Sequence, residues 1–183
     1  MKLGVYVGCF NPPHKGHIAV VNYCLEKGAV DKVIIVPGQA YWNKTNLVSM
    51  HHRLNMLSFF KSDKILIDEV HNKLEYTYEV LNAIKCENES DEVYFIIGSD
   101  ILKTLYLWKN VDEILNYKII VLKRKGNDIN GELKRYSNGQ FIILDDFKMI
   151  PASSSEIRKN LNSRYLDSRV RNYIRENKLY ESE

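Results

Sequence analysis

The first part of the chain constrains the fold most, because it predicts two strands joined by a helix. Apolar runs at residues 2–7 and 33–36 have the length of buried strands. Between them, residues 16–27 carry apolar side chains at helical spacing and end beside Gly28, a common helix stop. Two strands joined in this way form a parallel βαβ unit with a right-handed crossover.

The same alternation continues to the end of the chain, whose 183 residues suit a single domain. The pattern predicts strands at 64–67, 93–97, 118–122 and 141–144, and helices at 49–60, 77–85, 155–161 and 168–178. This alternation predicts an α/β fold of the Rossmann-like doubly wound kind, with a mostly parallel sheet and helices on both faces. Ligands bind such sheets beyond the carboxyl ends of the strands, so functional residues are expected in the loops that follow the strands.

The composition argues against several classes of protein. A formal net charge of +3 is too small for a nucleic-acid coat, and no stretch approaches the ~20 apolar residues of a membrane span. We therefore expect neither nucleic acid nor membrane as a partner. Three cysteines without a C-x-x-C pair argue against a disulfide framework, and the apolar N-terminal run is too short for a signal peptide. A reduced, cytoplasmic location is expected.

The C-terminal stretch is strongly basic, with only Asp167 and Glu176 opposing its positive charge. One interpretation is a solvated helix face, and the other is a field that attracts an anionic substrate. The basic residues are Arg158, Lys159, Arg164, Arg169, Arg171, Arg175 and Lys178.

The loop after the first strand, G-C-F-N-P-P-H-K-G-H at residues 8–17, has the properties of a phosphate site. Its glycines permit close approach, its prolines stiffen the loop, and the free N–H groups of the following helix favour an anion. His14 and His17 lie three residues apart, so one helical turn directs both the same way, where they can donate hydrogen bonds to phosphate oxygens. Metal ligation is the alternative, although no third ligand is nearby, and a capping or core role is another.

This loop resembles the G-x-F-x-P-x-H-x-G-H signature of the nucleotidyltransferase superfamily of adenylyl- and cytidylyltransferases. Cys9 stands where that signature commonly has threonine. The resemblance implies that the whole chain, residues 1–183, is a single nucleotidyltransferase domain. It also implies an ATP site that includes Gly8, Cys9, Phe10, His14 and His17.

A second match lies near the C-terminus, where S-S-S-E-I-R at residues 153–158 resembles the I-S-S-T-x-x-R element of the same superfamily. Ala152 replaces the isoleucine, and Ser155 keeps the hydroxyl of the threonine. Hydroxyls before a helix, and an arginine one turn into it, suit phosphate oxygens. An ordinary serine cap with a surface arginine is the alternative. The resemblance implies ATP contacts from Ser153, Ser154, Ser155 and Arg158, and catalytic roles for His14, His17 and Arg158.

A third match, Y-F-I-I-G-S-D at residues 94–100, resembles a strand and turn of the nicotinate-mononucleotide adenylyltransferases. Gly98 would let the turn approach a nucleotide. Asp100 would accept hydrogen bonds from hydroxyls or organise charge near the metal, and helix capping is an alternative or additional role. The resemblance places Gly98 and Asp100 in the ATP site.

Further segments resemble the same branch, among them 37–39 with Lys44, 52–57, 76–78, 107–109 and 170–180. The resemblance implies that the mononucleotide is bound by Lys44, Arg53, Thr77 and Trp108. Trp108 would stack on the pyridine ring. Thr77, at a helix start, would offer its hydroxyl and neighbouring N–H groups to the carboxylate. Capping for Thr77 and core packing for Trp108 are the alternatives. The branch usually has P-P-H-K where this chain has Y-W-N-K at 41–44.

The sequence therefore predicts an enzyme that transfers AMP from ATP to nicotinic acid mononucleotide, giving deamido-NAD and pyrophosphate. Mg²⁺ is expected as a cofactor bound mainly through ATP. Nicotinamide mononucleotide and phosphopantetheine remain alternative acceptors. A catalytically inactive nucleotide-binding regulator and a metal-dependent hydrolase remain alternatives of other classes. The sequence leaves the oligomeric state open.

Overall fold

The structure is a computed structural model that describes residues 1–39, 47–123 and 128–181. In these ranges the strands form one six-stranded sheet in the order β3-β2-β1-β4-β5-β6, and every pair is parallel. The strands are β1 Lys2–Gly8, β2 Lys32–Pro37, β3 Ile65–Ile67, β4 Glu92–Gly98, β5 Lys118–Leu122 and β6 Gln140–Leu144. The predicted Rossmann-like doubly wound fold is confirmed, and each predicted strand ends within one residue of the observed one.

The helices of the described residues are α1 Lys15–Glu26, α2 Met50–Ser58, α3 Thr77–Glu87, α4 Val111–Leu115, α5 Asn130–Lys134, α6 Ser154–Lys159 and α7 Ser168–Glu176. Five of them match predicted helices. Helices α4 and α5 were not predicted, because a five-residue helix is too short to show an apolar period. Single 3-10 turns at His71–Lys73, Ile101–Lys103 and Leu105–Leu107 were not predicted either.

Strand β1 lies at the centre of the sheet and pairs with β2 on one side and β4 on the other. Its Val5 is aligned with Ile34 of β2 and Phe95 of β4. The strand order therefore reverses between β1 and β4, which is where a doubly wound sheet opens a crevice for ligands.

Both faces of the sheet are covered by apolar side chains. On one face Leu81 and Ile84 of α3 join the core, and on the other Val21 and Cys24 of α1 do so. Residues 93–97 of β4 are all buried, as expected for a strand covered on both sides.

A third apolar cluster joins α2, α6 and α7 through Met56, Ile157 and Ile174. It anchors the C-terminal segment of the chain on α2, and Lys15 N donates to Tyr165 O (2.9 Å) at the start of α1. In the residues that the structure describes, no helix has the length and apolar character needed to cross a membrane.

Candidate active site

The two signature histidines cap helix α1 reciprocally. Nδ1 of His14, the N-cap residue, accepts a hydrogen bond from Gly16 N (3.1 Å), and Nδ1 of His17 accepts one from His14 N (3.2 Å). This is a capping box in which two imidazoles replace the usual hydroxyl and carboxylate. Because Nδ1 is the acceptor in both rings, the neutral tautomer carries its proton on Nε2.

The imidazoles are stacked, with ring centroids 3.7 Å apart and planes 22° apart. The ring of Phe10 meets His17 edge-on at 4.9 Å, and Phe10 is 1% exposed with a left-handed φ of 48°. The Phe10 side chain therefore supports His17 from the core. The ATP contact predicted for Phe10 stays a prediction, and its main chain is the part that would make it.

Burial keeps both rings uncharged at neutral pH. It lowers the pKa of His14 from 6.5 to about 4, a shift that the ring's own backbone hydrogen bond only partly opposes. Burial, followed by the neighbouring His14, holds the pKa of His17 well below 6.5. Each histidine is therefore a neutral donor through Nε2–H, held in place by the helix that it caps.

The two predicted phosphate-binding segments contact each other. Arg158 Nη1 donates to Asn11 O (2.7 Å), and Ser154 Oγ donates to Pro12 O (2.9 Å). Arg158 Nη2 also donates to Ser155 Oγ (3.3 Å), and Ser153 caps α6 by accepting from Glu156 N (3.4 Å). The opening loop and the closing helix, distant in sequence, thus form one surface.

A cavity of about 280 Å³ opens beside this surface, at the carboxyl ends of β1 and β4. Its polar wall contains His14, His17 and Asp100, and we call it the smaller cavity. Its lining also includes Tyr6, Gly16, Gly98, Phe147, Met149, Ile150 and Ala152.

At two glycines of this wall, an added side chain would press on a neighbouring side chain of the site. A Cβ on Gly98 would lie 2.6 Å from Asp100 Oδ1, and a Cβ on Gly16 would lie 3.0 Å from the His14 ring. The glycines predicted at these positions therefore let the carboxylate and the imidazole fold back over the strand end and the helix start.

A cavity of about 530 Å³ adjoins the smaller one, and both are lined by Val7, Ile101 and Trp108. We call it the larger cavity. Trp108 is therefore a wall that the two cavities share. The rest of the lining is Gly8, Cys9, Gly38, Gln39, Tyr76, Thr77, Thr104, Leu107, Lys109 and Ile114.

Thr77 and Trp108, two of the residues predicted to bind the mononucleotide, line this larger cavity. Thr77 is buried and is the first residue of α3, whose N-cap is Tyr76. Its main-chain N–H lies in the first turn, where helical N–H groups lack partners within the helix. Lys44, also predicted to contact the mononucleotide, lies outside the described residues.

Arg53 lies behind the larger cavity and is not part of its lining. It is 2% exposed, and its guanidinium donates to Gly38 O (2.7 Å), Cys9 O (3.0 Å) and Val48 O (3.3 Å). Helix α2 directs this side chain inward onto main-chain carbonyls, and its predicted contact with the mononucleotide stays a prediction. Since Cys9 and Gly38 line the larger cavity, Arg53 supports that cavity from behind.

Sequence reasoning missed the role of Asn11. Its Oδ1 accepts from Tyr180 Oη (2.7 Å) and from Val48 N (3.3 Å), while its main-chain oxygen accepts from Arg158. The residue is a variable position of the loop signature, so the motif gave no signal. Tyr180 did carry a sequence signal, because it belongs to the C-terminal segment that resembles the family.

The apolar wall of the smaller cavity, formed by Phe147, Met149 and Ile150, was also missed, because it follows β6 without any recognisable motif. Tyr6 was missed as well, although its place near the end of β1 was a usable signal. Burial and the nearby Asp100 raise the pKa of the Tyr6 phenol, so it stays protonated at neutral pH.

The basic C-terminal residues mostly bind the protein itself. Arg171 donates to the carbonyls of Leu161 and Ser163 (both 2.9 Å), and Arg169 donates to Asp167 (3.0 Å). These contacts give Arg169 and Arg171 structural roles within the C-terminal segment.

Over the ranges given above, no cluster of three or more His, Cys, Asp or Glu side chains is suited to hold a metal ion. Among the described residues, Cys9, Cys24 and Cys86 form no disulfide.

Comparison with known proteins agrees with this geometry. Residues 5–160 match the family described as cytidylyltransferase-like. Fold and site thus define a nucleotidyltransferase. A relative from Acholeplasma laidlawii, named "Probable nicotinate-nucleotide adenylyltransferase", is 35% identical over 97% of this chain and 96% of its own. The nicotinate-nucleotide adenylyltransferase of Bacillus subtilis is 29% identical over 99% of both chains. The chain belongs to the nicotinate-nucleotide adenylyltransferase family.

Solved structures share the fold over nearly the whole chain. The Plasmodium falciparum nicotinic acid mononucleotide adenylyltransferase complexed with NaAD has a TM-score of 0.82, 23% identity and coverage of 98% of this chain and 97% of its own. The same protein complexed with APC has a TM-score of 0.80.

The neutral state of His14 predicts a pH-dependent stability. The pKa of His14 is lower in the folded state than in the unfolded state. Its contribution to the free energy of unfolding is therefore complete above about pH 6.5. That contribution is lost as pH falls toward 4, at about 1.4 kcal/mol per pH unit. His14→Asn keeps a capping acceptor that does not titrate. Between about pH 7 and about pH 5, the free energy of unfolding measured in urea should fall more for the wild type than for His14→Asn. Equal losses would contradict a buried neutral imidazole.

Proposed function

We propose that the chain transfers the AMP moiety of ATP to nicotinic acid mononucleotide, releasing pyrophosphate and forming deamido-NAD. The observation that carries this proposal is the pair of adjoining cavities at the switch in strand order. The signature histidines line the smaller cavity, and Trp108 lies between it and the larger one. The names of the full-length relatives support the same acceptor.

ATP would occupy the smaller cavity. His14 and His17 would donate from Nε2 to oxygens of the α- and β-phosphates, since Nδ1 of each ring is already used in the cap. Gly98 and Asp100 at the end of β4 would face the ribose. Phe147, Met149 and Ile150 leave an uncharged surface for the purine.

The reaction would be a direct in-line transfer. An oxygen of the acceptor's 5′-phosphate forms a bond to the α-phosphorus, and the bond from that phosphorus to the oxygen bridging to the β-phosphorus breaks. Pyrophosphate leaves with that electron pair. No covalent enzyme intermediate is needed, and Cys9 is not proposed as a nucleophile. The protein would act by positioning the two substrates and stabilising phosphate charge.

Arg158 would supply the positive charge that the neutral histidines lack. With Ser153, Ser154 and Ser155 it would contact the β- and γ-phosphates, because α6 holds this segment against the opening loop. A guanidinium suits this role because its parallel N–H groups can bind two phosphate oxygens at once.

Mg²⁺ fits this arrangement as an ion bound mainly through phosphate oxygens and water. Asp100 supplies a carboxylate in the wall of the smaller cavity, which is the kind of hard oxygen donor that Mg²⁺ prefers. When bound, the ion would neutralise charge on the leaving pyrophosphate.

The mononucleotide would occupy the larger cavity, with its phosphate toward Gly8 and Cys9 and its base toward α3. Trp108 would stack on the pyridine ring, and the N–H groups at the start of α3, beside Thr77, would face the carboxylate. Lys44 remains part of this proposal. The three cysteines form no disulfide in the described structure, which suits the reducing cytoplasm that we propose as the location.

Replacing His17 should slow turnover by about 10²–10³-fold, the usual cost of losing one phosphate contact made in the transition state. His17→Asn tests this role more specifically than His17→Ala, because an amide oxygen can still accept from His14 N and preserve the cap. His51→Ala, an exposed histidine on α2, is the matched control and should leave the rate unchanged. Near-normal turnover of His17→Asn would refute the assigned role.

A panel of acceptors tests the proposed reaction. Pyrophosphate release from ATP should be fastest with nicotinic acid mononucleotide, slower with nicotinamide mononucleotide and negligible with phosphopantetheine, which has no ring for Trp108. Fastest release with phosphopantetheine would contradict the proposed acceptor. ATP binding without release for every acceptor would instead indicate an inactive nucleotide-binding regulator.

A further inference from the structure

The described wall of the larger cavity carries positive charge and no negative charge. Of the thirteen described residues that line it, Lys109 is the one with a formal charge, and none carries a carboxylate. The polar side chains Gln39, Tyr76, Thr77 and Thr104 are neutral hydrogen-bonding groups. A ligand in this cavity therefore meets one cation and no anion among the described wall residues.

Lys109 is placed to act on the ligand rather than on the fold. It is exposed, it lines the larger cavity and not the smaller one, and its ammonium has no ion pair within the described ranges. It also follows Trp108 directly, and Asn110 then turns the chain through a left-handed φ of 49° into α4. A ring stacked on Trp108 would thus have this cation as a close neighbour.

Nicotinate and nicotinamide groups have nearly the same shape, so a cavity distinguishes them by charge and hydrogen bonding rather than by size. We propose that Lys109 is a specificity-determining residue, which favours a pyridine mononucleotide that carries a carboxylate over one that carries a neutral amide. This inference rests on the proposed function. Because Lys109 is exposed, its effect is screened by water and salt, and we expect about a two- to fivefold preference from it.

The test compares kcat/KM for nicotinic acid mononucleotide with kcat/KM for nicotinamide mononucleotide. The two acceptors share ribose and 5′-phosphate, so any attraction of Lys109 to the phosphate cancels in the ratio. In Lys109→Met the ratio should fall about two- to fivefold, mainly through a higher KM for the nicotinate acceptor. Lys109→Arg should keep the wild-type ratio. Lys103→Met, an exposed lysine outside the lining of the cavity, is the matched control and should not change it.

Added salt gives a readout that a purely structural role would not move. The wild-type ratio should fall toward that of Lys109→Met as ionic strength rises, while the ratio of Lys109→Met stays flat. An unchanged ratio in Lys109→Met, or equal losses for both acceptors, would overturn the inference. A fall of the ratio in Lys44→Met but not in Lys109→Met would also overturn it.

The two proposals fail in different ways. A wild-type protein that uses neither pyridine mononucleotide would refute the proposed function and the role of Lys109 with it. A wild-type protein that uses nicotinic acid mononucleotide, together with a Lys109→Met variant of unchanged ratio, would refute the role of Lys109 alone.

Discussion

His14 and His17 each accept a backbone N–H through Nδ1 at the start of α1, and the arrangement of the candidate active site depends on these two hydrogen bonds. They fix the tautomer of both rings and leave Nε2–H as the available donor. Burial keeps the rings neutral, and Phe10 supports His17 from the core. The same side chains thus cap the start of α1 and form part of a cavity wall.

The remainder of the site is built by holding distant segments against this cap. Asn11 receives hydrogen bonds from Tyr180, near the C-terminus, and from Arg158 of α6. Arg53 joins the loops that follow β1 and β2 through Cys9 O and Gly38 O. These contacts involve main-chain carbonyls or a buried amide, so they define the shape of the loop more than its charge. The parallel sheet then places the end of β4 beside it.

The strands were predictable because each is a short apolar run between turn residues. The loop after β1 could be singled out because its glycines and histidines have a physical reason for their spacing, and its binding of phosphate stays a prediction. The contact between the loop and α6 was also predicted, from two motifs that suit the same ligand. The direction of a single side chain was not predictable. Arg53 lies in a helix, and sequence spacing alone does not show whether it faces a cavity or the backbone behind it.

Other features escaped prediction for related reasons. A capping role was one of the alternatives for the histidine pair, but histidine is an unusual capping residue, so the sequence did not favour that role or show that the cap is reciprocal. Phe10 matches the motif, but the motif does not say that its ring lies in the core. The wall at 147–150 belongs to the site only through the order of the strands, which brings the end of β6 toward β1 and β4. Helices α4 and α5 are set by tertiary packing, since five residues have little helical preference of their own.

The most direct test of this account is a crystal structure with a non-hydrolysable ATP analogue and nicotinic acid mononucleotide bound together. The account predicts phosphate oxygens about 2.7–3.2 Å from Nε2 of both His14 and His17, with Nδ1 of each ring still on the backbone and Arg158 on the same triphosphate. A triphosphate bound away from the smaller cavity, or held by Nδ1 with the cap broken, would contradict it.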